Sequence, residues 1–285
     1  MGRVISGVII FCCLLSFAVL ASDKHVVAKK VIALAPHLVE LIYEIDGQES
    51  LVAVSAHSDF PDAAHALPVV GDYLTIDVER VLALKPDLIL AWKGGSPEQS
   101  LRRLEGLGLK VEYSYPQQLE DVATEIIWLG QLLGKSAQAN DVAERYLQRL
   151  RRIQSQYQQA TRINGFYEIW PNPLTTINDQ AWPARHLDTC GINNIFSDSR
   201  TDYPQINLEQ VLQQSVDIII QPTSAKSPTA GFEWQKWLKI LSIQQQQIIQ
   251  PDADLLYRMT SRGLDALENM CDEADKIRLS LESTR

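Results

Sequence analysis

Chemistry that breaks bonds needs side chains gathered into a few known patterns, and this chain of 285 residues offers few of them. It has no Gly-x-Ser-x-Gly elbow, no phosphate-cradling P-loop and no G-x-G-x-x-G dinucleotide turn. The five histidines are His25, His37, His57, His65 and His186, and no two form an H-E-x-x-H or similarly close metal pair. His57 and His65 stand near Asp59, Pro61 and Asp62, a composition that reads as a solvated loop ahead of a metal site. Asp and Glu are spread along the whole chain, so no acid–base couple can be assigned. The residues favour binding over catalysis.

Binding chemistry is better represented. Trp92 follows the apolar run Leu88–Ala91 and precedes Lys93-Gly94-Gly95. In open α/β sheets ligands collect beyond the carboxyl ends of the strands, which is where Trp92 would stand. Tyr73 and Tyr203 occupy matching places in two similar segments, so facing lobes would put both on the walls of one cleft. Trp170, Pro171, Asn172, Pro173 and Trp182 lie in or near an irregular stretch of the kind that carries binding groups. Trp234 and Trp237, in GFEWQKWLKIL, have helix-like apolar spacing and read as packing.

The elements that must position these residues come from an internal echo. Residues 78–90 read VERVLALKPDLIL and residues 208–220 read LEQVLQQSVDIII. Asp77 and Asn207 are good N-cap residues for a short helix, and Glu79 and Glu209 fall in its first turn, where the macrodipole favours a carboxylate. Val81-Leu82 and Val211-Leu212 supply the inner face, and Asp87 and Asp217 mark the turn out. Leu88–Leu90 and Ile218–Ile220 then suit buried parallel strands. Val31–Ala35 and residues 165–169 open the two units as strands. Helices are expected over His37–Ile45 and Ala184–Thr189, each stopped by a glycine, Gly47 or Gly191. The expected fold is therefore α/β: two similar lobes with mostly parallel central sheets.

Residues 136–160 lie between the lobes without Gly or Pro, and Val142, Tyr146, Leu150 and Ile153 follow helical spacing. A single helix of that length spans about 37 Å and makes a stiff strut where a Gly/Ser linker would be flexible. The expected organisation is a leader over 1–21, an N-terminal lobe over 22–135, the strut over 136–160 and a C-terminal lobe over 161–285.

The chain is 46% hydrophobic and 21% charged, as a folded protein should be. Its net charge of −9 disfavours nucleic acid and anionic lipid as partners. Arg3, the apolar run Val4–Leu20 and the small-residue site ending at Ala21 have the layout of a cleaved secretory signal peptide. Its removal takes Cys12 and Cys13 and leaves Cys190 and Cys271, an even pair that in an exported protein reads as one disulfide. A metal site or reactive thiol pair would call for closer spacing or a nearby His.

The segments VIALAPHLVELIYEIDG, SDFP, DVERVLALKPDLILAWKGG, LEGLGLKV, CGINNIF and YPQINLEQVL together resemble the periplasmic vitamin B12-binding proteins of bacterial cobalamin ABC importers, within the helical-backbone (class III) periplasmic binding protein superfamily. The stretch DVERVLALKPDLILAW is shared with siderophore- and haem-binding relatives; CGINNIF, YPQ, AWKGG and the cysteine placement favour the B12 branch. The resemblance implies two lobes bridged by one long helix, with cobalamin in the cleft, carried as ligand and not used as a cofactor. It implies a Cys190–Cys271 disulfide, and it assigns Glu79 and Glu209 to docking on arginines of the membrane permease. On the ligand side it carries over to Tyr73, Trp92 and Tyr203 and, more loosely, to His57, Leu174 and Arg258. It implies a monomer in the periplasm with no membrane insertion once the leader is removed. Tyr73 and Tyr203 stand where the family pattern has Trp, His57 where it has Tyr, and Leu174 where it has Phe. An imidazole at His57 would bring a possible ligand for cobalt or haem iron. The alternatives are a haem or ferric-siderophore receptor of the same class and, from another class, an exported α/β enzyme.

Overall fold

The computed structural model describes residues 27–224, 231–241, 243–244 and 247–284, so the leader expected over residues 1–21 lies outside the described residues. In the N-terminal half the elements are β1 (Val31–Ala33), α1 (Pro36–Glu44), β2 (Leu51–Val54), α2 (Val78–Leu84), β3 (Leu88–Trp92), α3 (Glu98–Gly106), β4 (Val111–Ser114) and α4 (Asp121–Leu133). Helix α5 (Ser136–Tyr157) follows. The C-terminal half contains β5 (Ile163–Tyr167), β6 (Trp170–Pro171), β7 (Leu174–Thr175), α6 (Ala184–Thr189), β8 (Ile192–Asn194), α7 (Leu208–Leu212), β9 (Ile218–Ile220), α8 (Leu238–Leu241), β10 (Ile248–Ile249), α9 (Ala253–Leu256) and α10 (Gly263–Thr284).

Each half builds a four-stranded parallel sheet, and the two orders match. The first runs β2-β1-β3-β4 and the second β8-β5-β9-β10. The echoed segments are α2–β3 and α7–β9. Asp77 caps α2 by accepting from the Arg80 amide at 2.9 Å. Asn207 and Gln210 form a reciprocal capping box on α7, with bonds of 3.0 and 2.9 Å. The second echoed aspartate does more than mark a turn. The Asp87 carboxylate accepts from the Lys29 and Lys30 amides, both at 3.0 Å, and Asp217 accepts from the Asn164 amide at 2.8 Å. Each therefore fastens the entrance of its lobe's central strand to the neighbouring strand.

Both faces of the sheets are covered, which is why the strands are continuous apolar runs. Ile32, Ala53 and Ile89 face an outer N-terminal core, and Phe166 and Ile219 face an outer C-terminal core with Trp234. The opposite faces, including Val31, Leu88, Leu90, Tyr167, Ile218 and Ile220, belong to one continuous core that runs through both halves. Helix α5 contributes Val142, Tyr146, Leu150 and Ile153 to that core, as its spacing predicts. It spans about 33 Å at 1.5 Å per residue and stops three residues short of the expected 160. A Cβ on Gly130 of α4 would lie 2.3 Å from the Ala139 Cβ of α5, so only glycine allows these helices their close approach. Arg149 pairs with Glu268 of α10 at 2.7 Å, and the Tyr146 hydroxyl donates to the Leu119 carbonyl at 2.8 Å.

The disulfide expected from the cysteine count joins Cys190, just after α6, to Cys271 of α10, with a Cα–Cα distance of 4.7 Å. Trp234 is fully buried, in keeping with its reading as a packing residue. Its indole Nε1 also donates to Glu168 at 2.6 Å.

Candidate functional site

In a parallel sheet, the loops that leave the carboxyl ends of the strands gather on one edge. Tyr73 lies between β2 and α2, and Tyr203 between β8 and α7. Because β2 corresponds to β8 and α2 to α7, the two tyrosines are topological equivalents, as the echo predicts. Both are open to solvent, Tyr73 at 70% and Tyr203 at 50%. Tyr73 sits on a turn held by Asp72, whose carboxylate accepts from the Leu74 and Thr75 amides at 2.8 and 2.7 Å. These two amide bonds keep the Asp72 carboxyl below its usual range. Partial burial of the phenol, then the neighbouring Asp202, raise the Tyr203 pKa above its ordinary value.

Trp92 closes β3 and is held on several sides. His37 of α1 meets its ring edge-on, with centroids 5.6 Å apart. A Cβ on Gly95 would fall 1.8 Å from the indole, so Gly95 supplies the space the ring needs. The Ser96 hydroxyl accepts from the Trp92 amide at 3.0 Å. His37 is itself fixed by Ser114 at 3.0 Å. Burial, followed by repulsion from Arg258, lowers the His37 imidazole to about 3, so it is neutral at physiological pH. Trp92 also lines a hollow of about 810 Å³ with Lys93, Arg102, Tyr113 and Tyr115. There the Lys93 ammonium lies 4.5 Å from the centre of the Tyr115 ring.

The remaining residues implied by the resemblance have different surroundings. His57 is exposed in the loop after β2, in left-handed backbone with φ 65. Leu174 is 7% exposed and belongs to the C-terminal core with Phe166, Val211 and Trp234. Arg258 is 13% exposed and is committed to protein partners: Glu40, Asp59 at 2.7 Å and the His57 carbonyl at 3.3 Å. Trp182 turns inward, edge-on to His186 at 5.9 Å. Glu79 and Glu209 are both exposed in the first turns of α2 and α7.

Sequence reasoning overlooked Tyr115 and Glu40. Tyr115 is exposed directly after β4, much as Trp92 ends β3, so the rule that places aromatics at strand ends could have found it. Glu40 carries no local signal, because its partner Arg258 is 218 residues away. Among the described residues, no three His, Cys, Asp or Glu side chains gather as a metal-binding group. No described helix is long and apolar enough to cross a membrane.

The chain matches the Periplasmic binding protein family model over residues 31–236. It is 37% identical over 245 residues to the "Vitamin B12-binding protein" of Vibrio cholerae serotype O1, a match covering 86% of this chain and 88% of that protein. The crystal structure of the periplasmic vitamin B12 binding protein BtuF of Vibrio cholerae superposes with a TM-score of 0.81 at 36% identity, covering 88% of this chain and 98% of that one. The periplasmic haem-binding protein BhuT has a TM-score of 0.77 at 17% identity, covering 88% and 99% of the two chains, and so shares the fold alone. Twin parallel sheets of matching order, the helix between them and a family match over most of the chain lead to one conclusion: this chain belongs to the periplasmic binding protein family.

Proposed function

We propose that this protein is an exported carrier that captures vitamin B12 between its two lobes and delivers it to the permease of an ABC importer. The observation that carries the reading is the similarity to the Vibrio cholerae B12-binding protein, which extends over 86% of this chain at 37% identity. The geometry supports it. Cobalamin presents a broad apolar corrin face and a rim of amides, which suits exposed aromatic walls surrounded by polar groups. Tyr73, Tyr203 and Trp92 are the wall residues, with His57, Leu174 and Arg258 as further members of the ligand set. The boundaries that go with this reading are a leader over 1–21, lobes over 22–135 and 161–285 and a strut over 136–160. The mature protein acts as a monomer in the periplasm.

Calorimetry with cyanocobalamin, haem and a ferric siderophore tests the reading. Saturable one-to-one binding of cyanocobalamin is expected. Binding of an iron ligand alone would overturn it. The docking role of Glu79 and Glu209 is tested separately. Replacing both with Gln should weaken binding to permease-containing vesicles while the cobalamin isotherm is retained, because exposed charges steer and orient docking. Unimpaired uptake by the double variant would remove that role.

A further inference from the structure

The two halves are joined by a compact set of four charges. Arg258 and Arg262 come from the chain between α9 and the start of α10. Glu40 lies on α1, and Asp59 lies in the loop after β2. Arg258 Nη1 donates to Glu40 Oε1, Arg258 Nη2 to Asp59 at 2.7 Å, and Arg262 Nη1 to the same Glu40 oxygen at 3.1 Å. The Arg262 guanidinium also lies 3.5 Å from the centre of the Phe60 ring. Glu40 is buried, with a side-chain exposure of 3%. Its second oxygen, Oε2, has no hydrogen-bond partner among the described residues. A buried carboxylate with one oxygen shared by two guanidiniums and the other bare is a costly arrangement.

Its place in the fold gives that cost a purpose. Asp59 and the His57 carbonyl belong to the same β2–α2 loop as Tyr73. Arg258 lies close enough to His37 to depress its protonation, and His37 is the edge-on support of Trp92. The cluster thus lies beside His37, the support of Trp92. Arg258 is paired with both carboxylates and Arg262 with Glu40, so neither arginine presents an unpaired guanidinium to a ligand.

We propose that Glu40 is a specificity-determining residue: by neutralising Arg258 and Arg262 beside the cleft, it makes the site select a tetrapyrrole-like ligand with an uncharged amide rim and reject one bearing carboxylates. Arginines at such a site would otherwise bind carboxylates in bidentate fashion. Their occupation by Glu40 and Asp59 leaves an incoming carboxylate to lose its water without gaining a partner. The inference rests on the proposed B12 function for its choice of ligand, while its mechanism concerns charge alone.

The test compares wild type, Glu40→Gln and Asp59→Asn by calorimetry. The probes are cyanocobalamin, a cyanocobalamin monocarboxylic acid made by hydrolysing one side-chain amide, and haem. For wild type, cyanocobalamin should bind at least tenfold tighter than its monoacid. For Glu40→Gln, the haem-to-cyanocobalamin and monoacid-to-cyanocobalamin affinity ratios should each rise by roughly tenfold, the scale of one charge-assisted contact. Asp59→Asn, which frees one side of Arg258, should give a smaller rise and provides the answer if Glu40→Gln does not fold. Unchanged ratios in a folded variant, or equal gains for all three probes, would overturn the proposal. Failure of wild type to bind cyanocobalamin would instead strike the functional reading, and the haem arm would still test the charge argument.

Discussion

In the N-terminal lobe β4 pairs with β3 at four residue positions, whereas its counterpart β10 pairs with β9 at two. A sharper contrast lies one residue beyond the central strands. The Leu34 amide donates to the Leu90 carbonyl at 2.8 Å, and the Glu168 amide donates to the Ile220 carbonyl at 2.8 Å. The backbone position is the same, yet one lobe buries a leucine there and the other a carboxylate. Glu168 accepts from the Trp234 indole at 2.6 Å, the Gln221 amide at 2.9 Å and the Phe232 backbone at 2.9 Å. The N-terminal lobe is thus closed by apolar packing, while the C-terminal lobe adds a saturated polar network and a disulfide. Apolar packing tolerates changes of shape more readily than a buried carboxylate tolerates the loss of a donor. The same scaffold therefore has unequal sensitivity to single substitutions.

The largest test of that inequality is the disulfide. Closing a loop with a sequence separation of 81 residues contributes about 4–5 kcal/mol by the chain-entropy estimate. A Cys190→Ser/Cys271→Ser variant should show a clear drop in urea midpoint, with the earliest exchange in C-terminal amides. A midpoint matching wild type would show that the C-terminal lobe does not depend on its crosslink.

Next comes Trp234→Phe, which keeps most of the ring but removes one donor from Glu168. A hydrogen bond to a charged group is worth about 1.5–3 kcal/mol, so a loss near 2 kcal/mol is expected. Trp234→Phe/Glu168→Leu should recover part of it, since Leu is what the other lobe uses at that position. No recovery would mean that the polar network is not an exchangeable substitute for apolar closure.

A third test probes a point of likeness. Burial, followed by Arg258, holds His37 at about 3, and burial holds His186 at about 3, against 6.5 in an unfolded chain. Below pH 6.5 the unfolded chain takes up protons that these rings refuse. Stability is therefore complete above pH 6.5 and falls as the pH drops from 6.5 towards 3, by about 1.4 kcal/mol per unit for each ring. Unfolding free energies at pH 7 and pH 5 should show this slope, and His37→Gln and His186→Gln should each flatten it by a similar amount. A slope lost through only one of them would break the symmetry.

The smallest effects belong to the helix caps. Asn207→Ala and Asp77→Ala should each cost about 1 kcal/mol, with the larger loss at Asn207 because its capping box is reciprocal. Equal losses in chemical denaturation would show that the second bond of the box contributes little.

Much of this architecture was legible because it is local. Strands β3 and β9 announce themselves as unbroken aliphatic runs, α2 and α7 by their caps, and α5 by apolar residues at helical spacing without Gly or Pro. The site was legible only in part. Trp92 could be placed by the apolar strand it ends, and Tyr73 and Tyr203 by their matching places ahead of α2 and α7. The surroundings of Leu174 and the ion pairs of Arg258 could not, because the first depends on how β7 packs and the second on a partner in the other lobe. Asp87 and Asp217 look like turn residues, yet their carboxylates act across 58 and 53 residues of chain.

By itself the sequence determined the repeated α/β unit, the stiff helix between the copies and the pairing of the last two cysteines, since periodicity, capping and composition act within a few residues of one another. Tertiary structure decided which polar groups meet: Glu40 with the guanidiniums of Arg258 and Arg262, and Glu168 with the indole N–H of Trp234. The physical reason is that burial gives an ion pair or hydrogen bond its strength and burial comes only from assembled elements, so groups far apart along the chain acquire their chemistry only once the two sheets have been packed against a shared helix.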